Sequence, residues 1–191
     1  MVNNTHSSRR AHRGVTLVEV LVTLVILTVG LLGLVALQAR VQVLQAEAYQ
    51  RAQALMLLRD MASRIANNRN DAEDYVTGAE DPLGVGAACP GAGASRRESD
   101  QAEWCAALQG ASETLGGGNV GAMVGGRGCI ENVGPGEYLV TVAWQGLAPI
   151  AAPPASVACG TGLYEGDGEG PCTGDLCRRA VTTVVIIPSL T

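Results

Sequence analysis

The sequence predicts an α+β fold in which one long N-terminal helix packs on a small antiparallel sheet and the head is held by disulfides. Three observations predict it. The chain from Val15 to Leu37 is apolar apart from threonines, glycines and a single charge, Glu19. A helical stripe continues past that run. Two β-branched runs, Tyr138–Trp144 and Val181–Ile187, and all six cysteines lie further on.

Composition limits what the head can be. Of 191 residues 47% are hydrophobic, yet aromatics are only 3% and there is no Phe. The core must therefore be built from Val, Leu, Ile and Ala, with Trp104, Trp144 and a few Tyr as its large pieces. A core of that kind is small and needs reinforcement. Cys89, Cys105, Cys129, Cys159, Cys172 and Cys177 supply an even number of thiols, which points to disulfides and an oxidising compartment. There is no C-x-x-C pair, and the two histidines, His6 and His12, sit at the N-terminal end, so no zinc site is expected. No other metal or cofactor is called for. Glu165-Gly166-Asp167-Gly168-Glu169 lacks the order of an EF-hand loop and reads as a solvated turn.

The net charge is −5 and every basic residue is arginine. An acidic body argues against general nucleic-acid binding. A cluster of Arg96, Arg97, Arg127, Arg178 and Arg179 would be the one route to it. Catalysis has no visible basis: the chain after Gly14 has no His and no Lys, and Gly116-Gly117-Gly118 lacks the Lys-Ser/Thr of a phosphate loop. The expectation is a protein that is not an enzyme.

Residues 1–14 form a basic leader ending in Arg9-Arg10-Ala11-His12-Arg13-Gly14. The apolar run 15–37, as a helix, is about 35 Å long, enough to span a bilayer. Arginines before it would keep the N-terminus cytoplasmic and place the cysteines on the oxidising side. An ordinary cleaved signal has a shorter apolar core. A plain anchor gives no reason for Glu19, since a carboxylate inside an apolar span is costly and marks function.

Arg13-Gly14-Val15-Thr16-Leu17-Val18-Glu19 resembles the class III signal of type IV prepilins. The resemblance implies that a prepilin peptidase cuts between Gly14 and Val15 and methylates the Val15 amine. It also implies that Glu19, fifth in the mature chain, guides assembly. A carboxylate buried between helices is strongly disfavoured alone, so pairing with a neighbour's Val15 amine would set the axial register. Loss of three arginines with the leader would take the net charge from −5 to −8. The family usually begins its mature chain with Phe, where this chain has Val15.

The helix is expected over 15–66, with 15–37 as transmembrane segment and filament core. Beyond it Leu37, Val41, Leu44, Ala48, Leu55, Leu58, Met61 and Ile65 form the expected apolar stripe. Gly30 and Gly33 weaken the helix; they read either as close-packing positions or as points where the helix melts in a filament. Residues 67–191 form the head. Of these, 67–130 read as a variable loop with a short helix from Ser99 to about Leu115, capped by Asp100 and Glu103. Residues 131–191 read as the sheet region, and a further strand is expected at Met123-Val124 or from Cys129 to Val133. The order helix, variable loop, strands is that of a pilin head. Six cysteines allow fifteen pairings. Cys89 with Cys105 is expected, with two bonds among the other four.

Within this superfamily the start Arg-Gly-Val-Thr-Leu-Val-Glu-Val-Leu-Val, the Glu103-Trp104-Cys105 helix, the strand Tyr138–Gln145 and the Cys177-Arg178-Arg179 approach to a final strand resemble the minor pilins of the PilV, or type IV pilus modification, family. Such a subunit would join a tip or priming complex, starting pilus assembly for twitching motility, adhesion or DNA uptake. Its partners would be other minor pilins and the major pilin through their N-terminal helices, the prepilin peptidase, the inner-membrane assembly platform and a tip adhesin. It would sit in the inner membrane with the head periplasmic, then in the pilus. The alternatives are an I-type pseudopilin of type II secretion and a bitopic, membrane-anchored periplasmic binding domain.

Overall fold

A computed structural model describes residues 14–111, 114–119, 121 and 123–188. The leader before Gly14 lies outside the described residues. The first element, helix α1, runs Leu17–Asn67, two residues inside the expected start and one beyond the expected end. Two compact units divide at Val43 and Leu44. In the first, every described residue from Gly14 to Val43 is exposed. In the second, α1 buries Gln50, Ala54, Leu58, Met61 and Ile65, a stripe at steps of three and four. The stripe differs from expectation at its start: Leu37, Val41, Leu44 and Ala48 are exposed, and the buried face begins at Gln50.

The segment after α1 is more ordered than the loop expected there. A 3-10 segment, Arg69–Tyr75, buries Ala72 and Tyr75. Strand β1 (Leu83–Gly84) follows, then helix α2 (Arg96–Leu108). That helix starts three residues before the expected Ser99 because its cap is Ser95, not Asp100. The Ser95 hydroxyl accepts from the Glu98 N–H at 3.2 Å, and the Glu98 carboxylate accepts from the Ser95 N–H at 3.2 Å, a reciprocal capping box. Asp100 instead turns inward. Helix α2 ends at Leu108, short of the expected Leu115, and Thr114–Leu115 instead forms strand β2 of a hairpin with β3 (Gly118–Asn119). Gly116 and Gly117 both have positive φ there, as a two-residue hairpin turn requires.

Strands β4 (Arg127–Gly134), β5 (Glu137–Gln145) and β6 (Arg178–Ile186) complete a four-stranded antiparallel sheet in the order β1-β4-β5-β6. The expected third strand is thus β4, and the sheet draws on residues before 131. Pro135 and Gly136 turn the chain between β4 and β5, with Gly136 at φ 71°. On one sheet face Val140, Val142 and Trp144 meet Leu58, Met61 and Ile65 of α1 and Trp104 of α2 in a single core. Trp104 donates its indole N–H to Leu57 O at 3.0 Å, fixing α2 to α1. Gly128 lies against that indole: a Cβ there would clash with the carbons of its six-membered ring.

The long β5–β6 connection lies on the other face, where Gly160 approaches Ala143. The structure joins Cys129 to Cys159, pinning this connection to β4. It also joins Cys89 to Cys105, fixing the 85–95 segment to α2, and Cys172 to Cys177, closing a short loop before β6. Burying Thr141 and Ala143 between sheet and connection is why β5 loses the apolar alternation of a one-sided strand.

Candidate functional site at the N-terminal helix

The N-terminal segment is built by an ordinary helix start. Thr16 precedes α1, and its hydroxyl accepts from the Glu19 N–H at 3.3 Å. The Thr16 carbonyl accepts from Val20 at 3.2 Å. Glu19 is therefore in the first turn, three residues after the cap, where free N–H groups and the helix dipole favour a carboxylate. Sequence reasoning singled out Glu19 but missed Thr16. The Thr-x-x-Glu spacing of a capping box was the signal available.

Val15 and Leu17 are exposed, and none of the described residues from Gly14 to Val43 is buried. The most apolar 18-residue window of α1 has mean hydropathy 2.9 and no part of it is buried. This helix is long and apolar enough to cross a membrane. Leaving so many large apolar side chains in water is unfavourable by about 25 cal/mol per Å² of apolar surface, so the segment needs an external apolar partner.

The three glycines meet no intramolecular demand. A Cβ placed at Gly14, Gly30 or Gly33 would find open space, and none of the three has positive φ. Within this chain an alanine would fit at each.

The head carries several clefts. One, of about 450 Å³, is lined by Glu80, Asp81 and Arg127. A second, of about 660 Å³, is lined by Glu80, Asp175 and Arg178. Asp175 and Arg178 are both buried, and they pair at 3.2 Å. Arg178 also donates to Val157 O and Cys159 O, so this ion pair is consumed in shaping the connection before β6. Among the described residues no group of three or more His, Cys, Asp or Glu side chains is gathered as for a metal ion.

A third cleft lies over an ionic network. Arg64 of α1 contacts Asp60 at 2.9 Å and Asp100 and Glu103 at 2.8 Å, which raises its pKa despite partial burial. Tyr75 donates to Asp100 at 2.6 Å, and burial together with that carboxylate pushes its hydroxyl up to about 12. The network joins α1, the 3-10 segment and α2.

The five arginines considered for a nucleic-acid patch do not form a free one. Arg96 faces Asp100, Arg97 faces Glu98, Arg178 is buried with Asp175, and Arg179 faces Glu47. Arg127 stacks 4.9 Å from the centre of the Tyr164 ring.

Residues 9–35 match the family model described as the prokaryotic N-terminal methylation motif. No curated protein and no solved structure matches the chain. The matched residues contain Gly14, Val15 and Glu19 and the first part of the exposed apolar helix. The chain thus carries a type IV pilin-like class III signal. Its long helix, small antiparallel sheet and disulfides make a pilin-like α+β fold. The signal and the apolar helix fit a membrane-anchored structural subunit of the pilin or pseudopilin kind.

Proposed function

We propose that this chain is a minor type IV pilin, a structural subunit of the PilV kind that joins a tip or priming complex and helps start pilus assembly. The observation that carries the reading is the coincidence of the methylation motif at 9–35 with a helix start whose apolar side chains are all exposed. In this reading residues 1–14 are removed at Gly14–Val15 and the Val15 amine is methylated. The segment 15–37 rests in the inner membrane with the head periplasmic, then moves into the filament core. There Glu19 meets the Val15 amine of a neighbouring subunit. A subunit out of step leaves two buried charges unpaired, which is how such a pair sets register. Gly30 and Gly33 let a neighbouring helix approach closely or let α1 melt locally. Six paired cysteines suit a periplasmic head.

The testing experiment is the N-terminal mass of the protein from cells with and without prepilin peptidase. A methylated Val15 start that disappears without the peptidase is the expected result. A Met1 start unchanged by the deletion overturns the reading. The same motif also supports a pseudopilin of type II secretion. Deleting the gene separates the two, because a minor pilin deletion reduces surface pili and leaves type II secretion intact.

A further inference from the structure

The two edges of the sheet are finished differently. At one edge β1 is only two residues long. Beyond it Thr77 and Gly78 donate their N–H groups to Ile130 O at 2.9 and 3.0 Å, and Ile130 donates back to the Thr77 hydroxyl. The outer side of β4 is taken there. At the other edge β6 runs through nine residues of unbroken register with β5, and among the described residues no other strand pairs with it. Alternate N–H and C=O groups of β6 therefore face outward without a strand partner.

Natural sheets protect such an edge with charges, proline, bulges or brevity. The two charges of β6, Arg178 and Arg179, sit at its start and are paired with Asp175 and Glu47; from Ala180 to Ile186 the strand has no charge, no Pro and no Gly, and its register shows no shift. Val184 and Ile186 are large, apolar and exposed. An edge left this open is built to be covered.

We infer that β6 receives an extended strand from a neighbouring pilin-like subunit of different sequence, which adds a fifth strand to the sheet. The identity of that neighbour rests on the filament reading above. Symmetry, edge chemistry and charge single it out. Antiparallel pairing of two β6 strands has its two-fold axis normal to the sheet, and this reverses the part of α1 packed on the sheet. The two Leu44 ends would then leave on opposite sides, whereas chains anchored in one membrane need them on the same side. A second copy held in the same orientation would have to offer its other edge, which β1 and Thr77–Gly78 occupy. Near the start of β6, Arg51, Trp144, Ile150 and Val181 line a cleft of about 330 Å³. Arg179 there is paired with Glu47 at 3.6 Å, but Arg51 has no carboxylate within ion-pair distance among the described residues. The incoming strand is thus β-branched and apolar along its length, with an Asp or Glu at the end beside Arg51.

The test places a photo-crosslinking residue at Val184 of the full-length protein in its own cells. The expected product links position 184 to an extended segment of a different protein that carries the same N-terminal motif. Thr182→Lys, exposed on the same face, lowers the yield at least about tenfold, with all three native disulfides still formed on a non-reducing gel. A crosslink to a second copy, a crosslink to a protein without the motif, no product, or a yield indifferent to Thr182→Lys each overturns the inference. N-terminal mass from the same cells keeps the two readings apart. A methylated Val15 start without the crosslink sinks the strand docking alone. An uncleaved start sinks the filament reading, whatever the crosslink shows.

Discussion

Along α1 one backbone carries two surfaces. From Leu17 to Val43 every residue is exposed although most are apolar; from Gln50 to Ile65 one face is buried at helical spacing, and apart from Gln50 its buried residues are apolar. The difference is in what each half packs against. The second half has its sheet and α2 within the chain. Among the described residues the first half has no partner, and from Leu17 to Leu37 its sequence is apolar all round but for Glu19, threonines and glycines, as suits a helix surrounded by lipid or by other helices. The periodic half is written for this fold and the uniform half for its surroundings.

Substitutions in the two halves should therefore act on different measurements. Met61→Ala removes a fully buried side chain from the centre of the head. It is expected to cost about 2–5 kcal/mol of head stability, read by chemical or thermal unfolding. Leu27→Ala, on the exposed half, is expected to leave the head within about 0.5 kcal/mol of wild type. Equal losses from both would show that the halves are not separate in their energetics.

How far the sequence revealed the structure follows the same division. Uniform apolarity followed by a stripe made the helix legible nearly to its ends, and β-branched runs located β5 and β6. The buried stripe begins later than its spacing suggests, because Leu37, Val41 and Leu44 carry helical spacing whether they face a sheet or lipid. β4 was blurred because Glu131, Asn132 and Gly134 break the pattern of a strand. The cap of α2 was not legible, because Asp100-x-x-Glu103 has the same spacing as the Ser95-x-x-Glu98 box that caps the helix. At the N-terminal site Glu19 was conspicuous as a lone acid in an apolar run. Thr16 was not, because threonine is common in that segment. The arginines suggested a patch only because sequence does not reveal burial or ion pairs.

The disulfides sharpen the comparison from the head's side, since all three lie there. Loop closure in the unfolded chain scales with separation. Cys129–Cys159 spans 30 residues and Cys172–Cys177 spans 5. Replacing the first pair with serines is expected to cost about 4 kcal/mol and the second about 2. The measurement is denaturant unfolding of each double variant, with the N-terminal helix content followed separately by far-UV circular dichroism. A larger loss from the short bridge would mean that its local geometry outweighs chain entropy.

Alkaline pH should likewise act on the head alone. The Tyr75 hydroxyl lies near 12, raised by burial and by its bond to Asp100. An unfolded tyrosine ionises near 10. A group whose folded pKa is raised contributes stability that is fully present below the unfolded value and is lost as pH rises through the folded one. The melting temperature of the head is thus expected to fall from about pH 10 to about pH 12. Tyr138 and Tyr164 are raised in the same direction by burial, so Tyr75→Phe should flatten this fall in part, not wholly. An unchanged slope in Tyr75→Phe would mean that the Tyr75–Asp100 bond does not couple to folding.

The smallest expected effect separates the two candidate caps of α2. Ser95→Ala removes one half of the reciprocal box and should cost about 1 kcal/mol, while Arg64, Asp100 and Tyr75 keep their contacts. Asp100→Ala acts through a different cause. It strips a buried carboxylate from Arg64 and from the Tyr75 hydroxyl, and should cost more than Ser95→Ala because Tyr75 is left as a buried donor without its partner. The two losses should also differ with pH. Only Asp100→Ala alters the alkaline fall tied to Tyr75, since Ser95 caps a helix end remote from that bond in the hydrogen-bond network. If Ser95→Ala proved neutral and Asp100→Ala changed stability without changing the alkaline slope, then Asp100 would be acting at the helix start. The expected Asp100–Glu103 cap would then describe α2 better than the Ser95–Glu98 box.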